Sequence, residues 1–248
     1  MKIKRILITG DDGYNSIGTR LLVHFLKDKY ELAIAGTKTQ QSGVGGILHL
    51  RQKVRWEEIK VHGVSGVCVH GSPCDAIEFA LGYFKEPFDL IISGLNLGAN
   101  LGPSIISSGT VAAAIMGLAI DLAPRGLILS WNMDYHYFFM NHKMSHSLEK
   151  YLEYPGKVTA DLIEEAIKKN LWRSRLVNIN FPRNPSTKVK FTKLAKSSNW
   201  FYKHPVVVDY KKKTFSYPIG FVPKRVATDY DVGAIKKGYI SISPMRLW

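Results

Sequence analysis

Asp11 and Asp12 are neighbours in the chain and are followed by Gly13. In a regular strand adjacent side chains point to opposite faces, but in the turn that a glycine permits both carboxylates can converge. Two like charges held close repel unless something positive sits between them, and a hard divalent cation is the usual solution. Ser42, in QQSG at 40–43, and Asn96, in SGLN at 93–96, carry a hydroxyl and an amide oxygen. These are hard ligands that would complete a shell for Mg²⁺, Mn²⁺ or Ca²⁺ together with water. The competing role for an aspartate is to cap the helix that begins near Ser16, as Asp often does. A second constellation is SSGT at 107–110. Ser107, Ser108, Gly109 and Thr110 open a helix whose first backbone N–H groups lack intrahelical partners, which suits a phosphate. No Gly-Lys-Ser/Thr follows a spaced glycine, so this is not a Walker loop. Cys68, His70 and Cys74 lie in CVHGSPCD. They stop at three ligands without a second pair, which argues against zinc, and two cysteines make no disulfide framework.

The elements that must position these residues read as an α/β pattern. IKRILIT (3–9) is a short β-branched strand ending at the Gly/Asp cluster, and 16–29 is a helix with Ile17, Leu21, Leu22, Phe25 and Leu26 on one face. ELAIAG (31–36) is the second strand, the alternation over 47–69 predicts an extended hairpin, and a helix runs from Pro73 to Leu81. FDLIIS (88–93) is a strand buried on both faces that ends in the turn-rich GLNLGANLGPS. SSGTVAAAIMGLAI (107–120) is a small-residue helix and GLILS (126–130) another buried strand. This order predicts a Rossmann-like, doubly wound, mostly parallel sheet. In such sheets ligands bind beyond the carboxyl ends of the strands, where the polar clusters at 11–13, 40–43 and 93–96 all fall.

Past residue 131 the character changes. Residues 131–154 are aromatic-rich and irregular, 157–170 is an amphipathic helix, and 175–182 is a strand assigned to the sheet edge because Pro182 follows. Residues 188–223 read as antiparallel strands of a hairpin-rich extension and 238–244 as a last strand. His136, among Tyr135, Tyr137, Phe138 and Phe139, is expected to pack; His142 and His146, four apart and without a nearby acid, make a poor site. With no repeat or low-complexity linker, one domain over 1–248 is expected, with a core over 1–135 and a basic part over 136–248.

The charge divides at the same place. The net charge is +14, yet residues 1–135 hold 13 Lys/Arg against 12 Asp/Glu, while 136–248 hold 21 against 8. In the basic part Trp200, Phe201, Tyr202, Tyr210 and Tyr217 interleave with Lys196, Lys203 and Lys211 to Lys213. That composition suits either a surface binding nucleic acid or polyphosphate, or an aromatic oligomer interface rimmed by lysines. No run of eighteen apolar residues occurs, and MKIKRILITGDDG enters a core strand directly, so a soluble, cytoplasmic protein without membrane span or signal peptide is expected.

ILITGDDG, QQSGVG, GSPCDAI, DLIISGLNLGANLG, SSGTVAAA and TDYDVGAIKKGYISISP occur in this order over nearly the whole chain. In motifs and spacing the chain resembles the survival-protein E (SurE) family of metal-dependent 5′/3′-nucleotidases. The resemblance implies a Rossmann-like core, a C-terminal hairpin exchanged between subunits of a homodimer or homotetramer, and hydrolysis of nucleoside monophosphates with one divalent metal per subunit. It implies Asp11, Asp12, Ser42 and Asn96 as metal ligands, the two aspartates also as catalytic groups, and Asn100, Ser108, Gly109 and Thr110 around the phosphate. The chain departs from the family pattern at Gly10 (usually Asn), Ser104 (Asp), Ser107 (Tyr) and Met116 (Glu). None is an implied ligand, but losing polar groups that orient ligands can weaken metal sites 10- to 100-fold.

Two other functions compete. A phospho-accepting receiver domain also has an acidic pair after its first strand, but it needs an Asp after the third strand and a Lys after the fifth. Ser-Gly-Leu-Asn follows FDLIIS here, and Trp131-Asn132 follows GLILS. A catalytically weak homologue that binds nucleic acid or polyphosphate through the basic half is the second alternative.

Overall fold

The computed structural model describes residues 2–134, 137, 142–204, 206–218 and 220–246. His136 and its neighbours Tyr135, Phe138 and Phe139 lie outside the described residues. Strand β1 (Arg5–Thr9) leads through the acidic pair into α1 (Ile17–Leu26), and β2 (Glu31–Thr37) follows. Ser16 caps α1, its Oγ accepting the Thr19 N–H at 3.1 Å, so neither aspartate is used as the cap. Next come a β3 (Trp56–Val61) and β4 (Val64–Val69) hairpin, α2 (Pro73–Tyr83), β5 (Leu90–Leu97), a 3₁₀ turn over Gly102–Ser107, α3 (Gly109–Ala119) and β6 (Gly126–Trp131). The second half supplies α4 (Glu149–Tyr151), α5 (Val158–Lys168), β7 (Leu176–Phe181), β8 (Val189–Phe191), β9 (Val207–Asp209), β10 (Thr214–Ser216), α6 (Asp231–Lys236) and β11 (Ile240–Met245).

Among the described residues nine strands form one sheet in the order β3-β4-β2-β1-β5-β6-β7-β11-β8. From β4 to β7 every pairing is parallel. Because β2 and β4 lie on one side of β1 while β5 and β6 lie on the other, the winding reverses between β1 and β5. That reversal opens the crevice in which α/β sheets bind ligands. The pleat of β1 serves two cores: Ile6 and Ile8 join Leu21, Leu22 and Ile163 on the α1–α5 face, and Leu7 joins Ile77, Val111 and Ala114 on the α2–α3 face.

Four expectations change. The strand assigned to 88–93 continues to Leu97: pairing with β6 resumes at Asn96 opposite Ser130 after an irregularity beyond Ser93. Gly94 makes this possible, since it sits at φ +127° and a Cβ there would lie 2.2 Å from the Leu129 carbonyl oxygen. The hairpin assigned to 47–69 starts only at Trp56; Ile47 and Leu50 lie before it, in an exposed loop. Strand β7 is interior, between β6 and β11, because Pro182 falls just past its last paired residue, Phe181. Among the described residues of 188–223 only β9 and β10 form an antiparallel strand pair; β8 joins the main sheet, parallel to β11. The basic half thus supplies β7, β11 and β8 of the main sheet. No helix forms at 142–146, where His142 is buried with neither ring nitrogen hydrogen-bonded.

Candidate active site

The acidic pair sits at the carboxyl end of β1, at the reversal between β1 and β5. Both aspartates are buried. Asp12 Oδ2 accepts the Leu97 N–H at 2.7 Å, so the extension of β5 that the sequence hid is what holds this carboxylate. Asp12 Oδ1 accepts from Gln40 Nε2 at 3.1 Å. Asp11 Oδ1 accepts the Thr110 hydroxyl proton, and the backbone N–H groups of Gly109 and Thr110 point at the same carboxylate. The N-terminus of α3 is therefore turned toward Asp11. Gly109 lets it come so close: a Cβ there would stand 2.9 Å from Asp11 Oδ2.

The electrostatics follow from this burial. Desolvation pushes the Asp11 carboxyl above the usual range despite the donors around it. Asp12 is raised to about 7, first by burial and then by the charge of Asp11. Among the described residues neither aspartate forms an ion pair with Lys, Arg or His. Two adjacent buried carboxylates, held by N–H groups and one hydroxyl and lacking a fixed cation, fit a hard divalent ion. Nearby Ser42 and Asn96 have the right donor chemistry. The Gln41 N–H donates to the Asp11 carbonyl at 2.7 Å, tying the 40–43 loop to the acidic turn, and Asn96 Nδ2 donates to the Gly98 carbonyl at 2.7 Å.

A cavity of about 410 Å³ opens here, and Asp11, Ser42, Asn96, Asn100 and Ser108 are on its wall. Asp12, Gly109 and Thr110 are not; Asp12 is held by Leu97 and Gln40, while Gly109 and Thr110 support Asp11. Ser108 is the N-cap of α3, its Oγ accepting the Val111 N–H at 3.1 Å. Of the four departures, Ser104 and Ser107 line the cavity, Gly10 lies beside Gly94, and Met116 packs into the apolar face of α3.

Several supporting residues were not apparent in the sequence. Asn100 is gripped by a buried network in which its N–H donates to Asn180 Oδ1 at 2.9 Å and its Nδ2 to Ser130 Oγ at 2.9 Å. Its carbonyl accepts from Asn178 at 2.9 Å and Asn180 at 3.0 Å. The signal was present: two asparagines interrupt a strand, LVNINF, whose residues are all buried. Asp231 accepts the N–H groups of Gly102 at 2.7 Å and of Ala195 and Val232 at 2.8 Å, tying the cavity loop to the basic arm. The arm also reaches the cavity, where Tyr202, Lys203 and Tyr217 complete the wall. Of the five aromatics that suggested a stacking surface, Phe201 is buried, Tyr202 donates to the Ala99 carbonyl at 2.7 Å, and Trp200 packs edge-on to Tyr230. Only Tyr210 and Tyr217 are largely exposed. Cys68 and Cys74 are buried free thiols, and His70 pairs with Glu57 at 2.6 Å instead.

The profile of a family described as "Survival protein SurE" matches residues 6–204. A protein named 5'-nucleotidase SurE from a Nitratiruptor species is 30% identical, aligned over 98% of this chain and 94% of its own. The proteins of that name from Archaeoglobus fulgidus and a Marinomonas species are 30% and 31% identical, each over 98% of this chain and 91% of theirs. The crystal structure of the SurE protein from Aquifex aeolicus has the same fold, with a TM-score of 0.74 at 24% identity over 97% of this chain and 92% of that one.

Proposed function

The chain belongs to the SurE family, and we propose that it is a cytoplasmic, divalent-metal-dependent phosphomonoesterase acting on nucleoside monophosphates, a 5′/3′-nucleotidase. The observation that carries this reading is the buried Asp11–Asp12 pair, which has no basic partner among the described residues and whose Asp11 lies on the wall of a cavity shared with Ser42, Asn96, Asn100 and Ser108. Asp11, Asp12, Ser42 and Asn96 would hold Mg²⁺ or Mn²⁺. Such an ion supplies Lewis acidity at the phosphoryl group.

The chain's own groups have separable tasks. Ser108 Oγ accepts the Val111 N–H, so its own proton is left to donate to a phosphoryl oxygen. Asn100 is fixed by Ser130, Asn178 and Asn180 and has a second amide proton for the same purpose. Gly109 and Thr110 act through Asp11, which they orient. Asp11 lies on the cavity wall and Asp12 does not, so Asp11 is the carboxylate assigned to proton transfer with the substrate. In the same reading the chain is one domain whose β9–β10 hairpin, standing off the main sheet with Val207 and Phe215 exposed, is exchanged between subunits of a homodimer or homotetramer.

Phosphate release from a panel of nucleoside monophosphates, with Mg²⁺, Mn²⁺ or EDTA, tests the assignment. Asp11→Ala should abolish the metal-dependent release. Retention of more than about a tenth of the activity would overturn it, because an interaction made in the transition state is expected to contribute well over tenfold.

A further inference from the structure

The cavity has wall residues that phosphoryl chemistry leaves unused. Ile106, in the last turn before α3, is 88% exposed, and Tyr217, just past β10, is 76% exposed. Neither belongs to an apolar core of the described chain, yet both line the cavity that contains Asp11. A lone exposed apolar side chain needs no explanation, but two at one cavity do. Pro103 and Pro218 extend the same apolar surface beside them. A phosphoryl group is small and charged and uses none of it. A flat heteroaromatic ring does, because every base presents a π-face to an aromatic side chain and an apolar face to an aliphatic one.

We propose that Tyr217 and Ile106 bracket the nucleobase of the substrate, so that this site selects nucleoside monophosphates over phosphomonoesters that lack a base. The inference rests on the nucleotidase reading above and deepens it, by assigning the base to the arm and the phosphate to the sheet. Tyr217 meets Phe215 in a T-shaped contact with ring centroids 6.0 Å apart, so the two rings are not stacked on each other.

The experiment compares AMP with ribose 5-phosphate, which has the same phosphate and sugar but no base. The wild type should favour AMP in kcat/KM, and Tyr217→Ala should lower that preference about tenfold, the scale of one base–aromatic stack. The loss should lie in KM for AMP rather than in kcat. Tyr217→Phe keeps the ring and should restore the preference, and Ile106→Ser should reduce it. An unchanged preference in Tyr217→Ala overturns the proposal. So does an equal fall on both substrates accompanied by a change in oligomeric state by light scattering, which would make Tyr217 a subunit contact. If the wild type releases phosphate from neither compound, the nucleotidase reading fails. Calorimetric titration of the two ligands into wild type and Tyr217→Ala then still decides the base site, and equal affinities overturn it.

Discussion

Replacing Asp231 by alanine should unfasten the cavity from the basic arm. Asp231 begins α6, is fully buried, and accepts N–H groups from Gly102, Ala195 and Val232 at 2.7 to 2.8 Å. These donors belong to the loop after β5, to the arm and to α6 itself. Burial pushes the Asp231 carboxyl above the usual range while the three N–H groups draw it back. Truncation strands three buried backbone donors, each costing about 1–3 kcal/mol. It also removes a buried carboxylate whose desolvation opposed folding, so the net loss is set at roughly 3 kcal/mol. At about 2–4 °C per kcal/mol for a domain of this size, the melting temperature should fall by roughly 6–12 °C. Gly102 occupies φ +52° with a Cβ position only 3.0 Å from the Ala195 side chain, so this loop is closely fitted to the arm. Once released, it should carry Asn100 out of place, and kcat/KM for AMP should drop at least tenfold at a temperature where the variant is still folded. Calorimetry and urea unfolding read the first effect, and phosphate release the second. A melting temperature within 2 °C of wild type would refute the reasoning, since it would mean that the three donors find other partners.

His142 is buried beside His146 and Arg20, and burial first, then those neighbours, lower its ring to about 4. The unfolded chain takes up this proton near pH 6.5 and the folded one only near 4, so stability is complete above pH 6.5 and declines as pH falls toward 4. The decline should reach about 3 kcal/mol at most and flatten in His142→Phe, as measured by urea unfolding across pH 4–7. Gly18→Ala should destabilise by about 3 kcal/mol or refold poorly, because its Cβ would fall 1.8 Å from the Leu95 carbonyl oxygen where α1 crosses β5; a loss below 1 kcal/mol would show that this helix can shift. Mn²⁺ at a hundred times its dissociation constant should raise the melting temperature by about 5–10 °C, from roughly 2.7 kcal/mol of linkage. Asp12→Asn should lose that rise, yet melt above wild type in EDTA, since it removes one of two repelling buried charges.

Where hydrophobic period and local chemistry agree, the sequence reads well. β1, α1, β2, α2 and α3 lie where their patterns put them, and Asp11, Ser42 and Asn96 share a cavity because each follows or ends a strand at the reversal of the sheet. Two elements differ from their sequence pattern where a residue has a use that composition does not reveal. Gly94 and Asn96 look like turn residues, but the glycine serves close approach to β6 and the strand continues. Pro182 looks like an edge marker, but it lies past the paired residues of β7. Long-range pairing was the other barrier. β11 fits between β7 and β8, and Asp231 bonds to Gly102 across 129 residues, and no local pattern encodes either.

The compensation of the acidic pair gives a physical reason for the site's composition. A buried lysine between Asp11 and Asp12 would cancel a charge and, on the proposed reading, occupy the place of the divalent ion. The chain instead uses partial charges: the N-terminus of α3 and the Thr110 hydroxyl at Asp11, the Leu97 N–H and the Gln40 amide at Asp12. These orient the carboxylates without neutralising them, and burial, followed by the charge of Asp11, keeps the Asp12 carboxyl raised. The full positive charges stand farther away, in the half that holds 21 Lys/Arg against 8 Asp/Glu, with Lys203 reaching the cavity wall. On the proposed reading, this arrangement keeps the acidic pair ready for a divalent ion, while the surrounding potential favours the approach of an anionic substrate.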